Sequence, residues 1–138
     1  IQCSAIMIYL KGGNIEQLIL ALNRLKQLSI SSSPDSRIAA CDVLGSTPIG
    51  DFSTMLIQLL HDEELEVVAK AIKAARQYKN EAVIEAVLTN LKFKNLYHKI
   101  SKTLLSYGPE IIDQLMDRIN DEKQIPVIVT MINILSLM

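Results

Sequence analysis

Tryptophan is absent from this 138-residue sequence, and the other aromatic residues make up only 4% of it. Glycine and proline are also scarce, with five and four copies, which is too few for a protein built of many short strands and tight turns. The two cysteines, Cys3 and Cys41, form neither a metal-binding spacing nor a disulfide framework, and no Asn-X-Ser/Thr acceptor is present. We therefore expect buried free thiols and a reducing, cytoplasmic setting.

An excess of positive charge is missing as well. The chain has 14 Lys and Arg against 15 Asp and Glu, giving a formal net charge of −1. This balance excludes a strongly basic nucleic-acid binder, so no specific nucleic acid is expected as a partner. The apolar stretch at 125–138 is interrupted by Pro126, Thr130 and Asn133 and falls short of the roughly 20 residues that span a bilayer. The sequence thus predicts no membrane span in this segment.

The sequence also lacks the short motifs of common enzymes. It contains no glycine-rich phosphate loop, no zinc signature and no serine nucleophile elbow. His61 and His98 are far apart in the chain, with no thiol or carboxylate at ligand spacing from them. We predict a chain that is not an enzyme and that needs no metal or cofactor.

Aliphatic residues are abundant, and they recur at helical spacing between regularly placed turn and cap signals. The pattern predicts nine helices, over residues 3–11, 15–29, 34–45, 49–61, 63–78, 81–92, 95–107, 109–120 and 123–137. Asn14 and Gln17 have the spacing of a capping box, and Gly45 is predicted to end its helix in the left-handed conformation. Asp62 and Asp121 are predicted to cap the starts of helices.

The helices form a repeat of about thirty residues. Five apolar residues that begin at Val83 recur with identical spacing 28 residues later, from Ile111. The helices before them correspond at a displacement of 29, which pairs Tyr78 with Tyr107. Because the connections are short, neighbouring helices are expected to run antiparallel.

The segment at 33–45, SPDSRIAACDVLG, resembles the second-helix signature of short HEAT repeats, of the kind found in phycobilin lyases. It has the Pro-Asp start, an arginine at Arg37, paired alanines and a closing Leu-Gly. The segment at 64–75 keeps the valine and alanines but has Val68 where the family prefers arginine, and 95–108 and 123–137 keep only the apolar spacing. The resemblance implies an all-α fold: a right-handed α-α superhelix, or solenoid, of about four antiparallel helix pairs.

We interpret residues 1–138 as a single HEAT-like repeat domain. Its first and last helices are apolar on most faces, whereas a solenoid needs polar capping helices at its ends. We therefore expect a piece of a longer protein, in which neighbouring repeats cover these faces. A homodimer contact at the apolar ends is the alternative.

Charges alternate along the chain, with acids concentrated in the first helix of each pair and bases in the second. The resemblance places the second helices on the inner, concave surface. The candidate partner-binding residues on that surface are Arg37, Lys70, Lys73, Arg76, Lys99 and Lys102. Such a basic strip would attract an acidic peptide, a helix or a phosphate-bearing ligand. The alternative is that these residues are only solvated helix faces.

The favoured function is a protein-protein interaction scaffold that binds a protein or acidic peptide. One alternative is a regulatory cytosolic segment of a membrane protein. Another is a relative of HEAT-like lyases or DNA glycosylases. The glycosylase version requires aromatic residues in a basic concave face, and Tyr78 and Tyr107 fall at helix ends instead.

Overall fold

The structure is a computed structural model that describes residues 3–47 and 52–138, and all regular secondary structure in these ranges is helical. The helices are Cys3–Gly12 (α1), Ile15–Ser29 (α2), Pro34–Ser46 (α3), Ser53–Leu60 (α4), Leu65–Ala74 (α5), Glu81–Thr89 (α6), Tyr97–Tyr107 (α7), Ile112–Asp121 (α8) and Ile125–Ser136 (α9). Short 3₁₀ turns extend four of them, at Ala75–Gln77, Asn90–Lys92, Lys94–Leu96 and Pro109–Ile111. The all-α class is confirmed. The predicted start of the fourth helix at residue 49 lies outside the described residues.

Two of the predicted helix ends are confirmed in detail. Asn14 and Gln17 form the expected capping box: the Gln17 N–H donates to Asn14 Oδ1 at 2.9 Å, and the Asn14 N–H donates to Gln17 Oε1 at 3.2 Å. The break predicted between the helices at 95–107 and 109–120 is the second: Gly108 has a φ of 82° and separates α7 from the turn that begins at Pro109. These two positions define where helices begin or end, because few other residue types can form a capping box or adopt a positive φ without strain.

Two other predicted ends are wrong. Gly45 lies inside α3, which continues to Ser46, and it does not adopt the left-handed conformation. A Cβ on Gly45 would lie 3.3 Å from the Cα of Ala74, so the glycine allows α3 and α5 to pack closely. Asp121 is the last residue of α8 and does not cap a helix start; the Glu122 carboxylate instead accepts from the Lys123 and Gln124 N–H groups.

The helices contact one another in alternation. The odd-numbered helices α1, α3, α5, α7 and α9 touch in that order, and so do α2, α4 and α6. Buried hydroxyl and amide groups join consecutive members of each row. The Tyr78 O–H donates to the Leu44 carbonyl at 2.8 Å, the Tyr107 O–H donates to the Ala75 carbonyl, and Asn90 Nδ2 donates to the Leu60 carbonyl. Each of these contacts satisfies a carbonyl near the end of the preceding helix of the row.

The core is aliphatic, and α9 contributes one of its faces to it. Ile100 and Thr103 on α7 are fully buried. On α9, Val127, Met131 and Ile134 are buried, whereas Val129 and Ile132 are 50% and 51% exposed. Apolar side chains are also exposed near the first two helices, at Ile8, Ile15 and Ile19. One face of α9 therefore packs on the core, while apolar side chains on its other face are exposed.

None of the helices in the described ranges is long and apolar enough to cross a membrane.

Candidate functional site

The α5 helix has one buried face and one basic, exposed face. Ala71 and Ala74 pack inward, while Lys70 and Lys73 are exposed. Arg76 follows in the 3₁₀ turn that extends α5, and it is exposed too. Because residues three and four apart share a helix face, the three cations project from the same side of this helix.

The α7 helix adds a second set of cations beside the first. Lys99 and Lys102 are exposed on α7, as is His98, while Ile100 packs inward. Buried Thr103 joins the two helices, since its Oγ1 donates to the Ile72 carbonyl at 3.2 Å. Contact between α5 and α7 therefore brings basic residues from two helices onto one surface.

Two adjoining concavities lie along this surface. The α3/α5 concavity encloses about 320 Å³ and is lined by Cys41, Asp42, Gly45, Ser46, Lys70, Lys73, Ala74, Arg76 and Gln77. The α5/α7 concavity encloses about 380 Å³ and is lined by Lys73, Arg76, His98, Lys99, Lys102 and Thr103. Lys73 and Arg76 border both, so the two concavities form parts of one groove, which we call the basic groove.

The charge in the basic groove is poorly compensated. The sequence has no acidic residue at 67–80 and none at 86–109, so α7 carries no carboxylate at all. In the part of the chain that the structure describes, none of the five Lys and Arg of the groove belongs to an ion pair. Asp42 is the carboxylate that lines the α3/α5 concavity. The positive charge is therefore concentrated between α5 and α7.

One cation of the groove is held in position by a buried hydroxyl. Arg76 Nε donates to Thr103 Oγ1 at 3.3 Å, and Thr103 has no exposed surface. Within the described residues, Nη1 and Nη2 of Arg76 have no hydrogen-bond partner in the protein. The planar guanidinium is thus anchored on one edge and keeps its other donors free.

Arg37 does not belong to this surface, although the sequence analysis placed it there. It is 9% exposed, and its Nε and Nη2 donate to the two carboxylate oxygens of Asp62 at 2.7 and 3.1 Å. Its Nη1 donates to the Ser31 carbonyl at 2.8 Å. The hydrogen bonds with Asp62 raise the pKa of Arg37 above its ordinary value. All three guanidinium nitrogens are occupied inside the protein, so Arg37 has a structural role.

The even-numbered helices carry a different surface. A concavity of about 1050 Å³ between α6 and α8 has six carboxylates and two cations in its lining: Glu81, Glu85, Glu110, Asp113, Asp117, Asp121, Lys79 and Arg118. The two cations pair with Glu110 and Glu85. The acidic and basic surfaces therefore lie on different rows of helices, as the alternating charges of the sequence predicted.

Two side chains of types suited to chemistry, Cys41 and His61, are engaged or kept in an unreactive state. Burial raises the pKa of the Cys41 thiol to about 12, and the negative charges of Asp42 and Asp62 contribute to the rise, so the thiol stays protonated near neutral pH. Cys41 is a buried free thiol as expected. His61 follows α4, where its Nδ1 lies 2.9 Å from the Ile57 carbonyl. Within residues 3–47 and 52–138, no group of His, Cys, Asp or Glu is arranged to hold a metal ion.

Sequence reasoning missed two contributors to the groove. Thr103 gave no signal, because a threonine in an amphipathic helix is unremarkable without knowledge of its neighbours. His98 has no partner at ligand spacing in the sequence and so suggests no site, yet it lines the α5/α7 concavity. The absence of acids from 86–109 was the available clue that this region presents uncompensated charge.

No protein-family model, curated protein or solved structure matches this chain. Its function is therefore inferred from its own residues.

Proposed function

We propose that the chain is a HEAT-like α-solenoid of about four helix pairs that binds an acidic segment of a partner protein in the basic groove. The solenoid arrangement is supported by the alternating contacts, in which odd-numbered helices touch in one row and even-numbered helices in another. It is also supported by the recurring tyrosine contacts of Tyr78 and Tyr107, whose hydroxyls reach back to helices about one repeat earlier. Stacking of this kind creates extended concave surfaces.

The observation that carries the binding proposal is the cluster of unpaired cations on α5 and α7. Lys70, Lys73 and Arg76 project from α5 and its 3₁₀ extension, and Lys99 and Lys102 project from α7. Exposed lysines are often only solvated, and each exposed pair contributes about 0.2–1 kcal/mol. Here, however, five cations border one groove in which the carboxylate is Asp42. Such a local field attracts acidic ligands and raises their association rate.

The environments of Cys41, Tyr78 and Tyr107 favour a binding role over catalysis. The raised pKa of Cys41 disfavours the thiolate that a nucleophile needs. The aromatic residues that a DNA glycosylase would place in its groove are also engaged elsewhere, since Tyr78 and Tyr107 are buried and donate to carbonyls. A free buried thiol is compatible with a cytoplasmic location.

The test is a charge reversal in the groove, read out by binding of a fluorescent glutamate-rich peptide. Lys70→Glu combined with Lys73→Glu is expected to weaken binding by about tenfold or more at 0.15 M salt, because two attractive charges become repulsive. The control is Lys11→Glu combined with Lys123→Glu, which changes the net charge equally at two exposed positions outside the groove. The control should stay within about threefold, since charges beyond about 8 Å are screened at this salt concentration.

Wild-type binding should also weaken as salt is raised, because the interaction is electrostatic. Equal losses in the two double variants would mean that the peptide responds to net charge alone, and the groove would then not be a binding site. Circular dichroism at 222 nm checks that both variants keep their helical content.

A further inference from the structure

The α5/α7 concavity differs from the rest of the basic groove in having no carboxylate in its lining. Four permanent cations and one imidazole surround a space of about 380 Å³. Its neighbour, the α3/α5 concavity, has only three such cations and contains Asp42 and Gln77. A ligand in the α5/α7 concavity would therefore meet one more cation than in the α3/α5 concavity, and no carboxylate.

We propose that the α5/α7 concavity binds the phosphate of a phosphorylated side chain in the partner's acidic segment. This inference rests on the proposed function and names the group that the groove selects. A phosphomonoester carries about −1.5 to −2 charges at pH 7 and three strong acceptor oxygens, whereas a carboxylate carries one charge. Several cations that converge on one small space are better matched to the more highly charged group.

Arg76 supplies the specific part of this recognition. Its Nε donates to Thr103 Oγ1, which in turn donates to the Ile72 carbonyl. This chain of hydrogen bonds fixes the guanidinium plane before a ligand arrives and leaves Nη1 and Nη2 as a pair of parallel donors. A planar donor pair of this kind binds two phosphate oxygens at once, which a lysine cannot do. Thr103 is accordingly a positioning residue and Arg76 a binding residue.

The surroundings favour a single compact dianion over an extended polyanion. Asp42 of α3 lines the adjoining concavity and Glu66 is exposed in the first turn of α5, so carboxylates lie both beside the α5 cations and before them on the same helix. A nucleic-acid backbone or an anionic membrane surface would have to pass these carboxylates. A peptide with one phosphate can place that group between α5 and α7 and keep its neutral residues near Asp42.

The experiment compares two peptides of identical sequence, one with phosphoserine and one with glutamate at the same position. Isothermal titration calorimetry on the full chain should show that the phosphopeptide binds about tenfold more tightly. Arg76→Lys keeps the charge and removes the paired donors, so it should abolish most of this preference and leave the affinity for the glutamate peptide within about twofold. Lys11→Arg is the matched control at an exposed distant site and should change neither affinity.

Thr103→Val tests the positioning role, because valine has a similar shape and no hydroxyl. It is expected to reduce the preference for phosphoserine by about threefold while the glutamate peptide binds as before, since a loosely held guanidinium still attracts a single charge. A merely structural effect of the substitution would weaken both peptides equally. Arg76→Lys, at an exposed position, decides the question if Thr103→Val alters the fold.

Each remaining outcome is decisive. Equal affinity for the two peptides, with both weakened by Lys70→Glu and Lys73→Glu, would overturn the phosphate site and leave the proposed function standing. Binding of inorganic phosphate that depends on Arg76, with no binding of either peptide, would overturn both the partner segment and the proposed function. Tighter binding to phosphoinositide vesicles, or to a single-stranded oligonucleotide, than to the phosphopeptide would overturn the assignment to a phosphorylated side chain.

Discussion

Arg37 of α3 donates two hydrogen bonds to the carboxylate of Asp62, 25 residues further along the chain and just before α5. The side chains are 11% and 9% exposed, so the pair is almost removed from water. Asp62 also contacts the start of α5. Its Oδ1, which accepts from Arg37, accepts from the Glu64 N–H as well, at 2.9 Å. The pair thereby connects α3 to the entry of α5.

Removing either partner is expected to destabilise the protein strongly, because the other charge is left buried and unpaired. We predict that Arg37→Ala and Asp62→Ala each lower Tm by about 5 °C or more, measured by circular dichroism. Lys79→Ala is the control, since it breaks a pair with Glu110 that is exposed, and it should lower Tm by about 2 °C or less. A loss in Arg37→Ala as small as that in Lys79→Ala would contradict the structural role of Arg37.

The same variant separates Arg37 from the basic groove. Because its guanidinium faces inward, Arg37→Ala measured well below its Tm should bind the glutamate-rich peptide with wild-type affinity. The sequence could not reveal this. From its own helix, Arg37 is predicted equally well as a surface cation or as a structural residue, and the choice depends on a carboxylate that lies 25 residues away.

The helices could be predicted because they depend on neighbouring residues. Contacts between residues far apart in the chain could not be predicted. Apolar spacing and the Asn14 cap are properties of neighbouring residues, so the helices and several of their ends follow from sequence. Gly45 shows the limit, because a glycine near a helix end serves either a left-handed turn or a close helix contact, and only the position of Ala74 decides. The role of Thr103 could not be predicted either, since it depends on hydrogen bonds with Arg76 and with the Ile72 carbonyl.

Among the glycines that the structure describes, Gly108 should be the one whose backbone conformation matters most. Its φ of 82° lies in the region that other residues adopt only with strain, and no atom would contact an added Cβ. Gly108→Ala is therefore predicted to cost about 1–3 kcal/mol of unfolding free energy from the backbone alone, measured by urea denaturation. Gly12→Ala is a matched control, because it also has open space and no positive φ, and it should be neutral or slightly stabilising. Equal effects at the two glycines would show that the α7–α8 turn is not strained by a side chain.

Ile100 on α7 is fully buried, whereas Val129 on α9 is 50% exposed. We predict that Ile100→Ala costs about 2–5 kcal/mol, as is usual for large-to-small changes in a core. Val129→Ala should cost less than about 1 kcal/mol, because half of the side chain is already in water. Urea denaturation at low protein concentration measures both. If Val129→Ala is as damaging as Ile100→Ala, then the exposed face of α9 is covered in solution.

Tyr107 couples the stacking of α5 and α7 to pH. Burial raises the pKa of its phenol well above the ordinary value near 10. Between these two values the folded chain holds a proton that the unfolded chain has released, so the unfolding free energy falls as the pH rises. The contribution of the buried phenol is complete below pH of about 10 and is lost progressively above it.

Tyr107→Phe removes this titration together with the hydrogen bond to the Ala75 carbonyl. At pH 7 the variant should be less stable than wild type by about 1 kcal/mol, the usual net value of such a bond. Above pH of about 10 its unfolding free energy should fall less steeply than that of wild type, so the two curves converge. Cys41 is present in both proteins and its own raised pKa cancels in the comparison. Tyr97→Phe on the same helix is the control, and urea denaturation between pH 7 and 11 is the measurement. Parallel curves for wild type and Tyr107→Phe would mean that the phenol ionises as readily in the folded chain as in the unfolded one, and the contact with Ala75 would then not be buried.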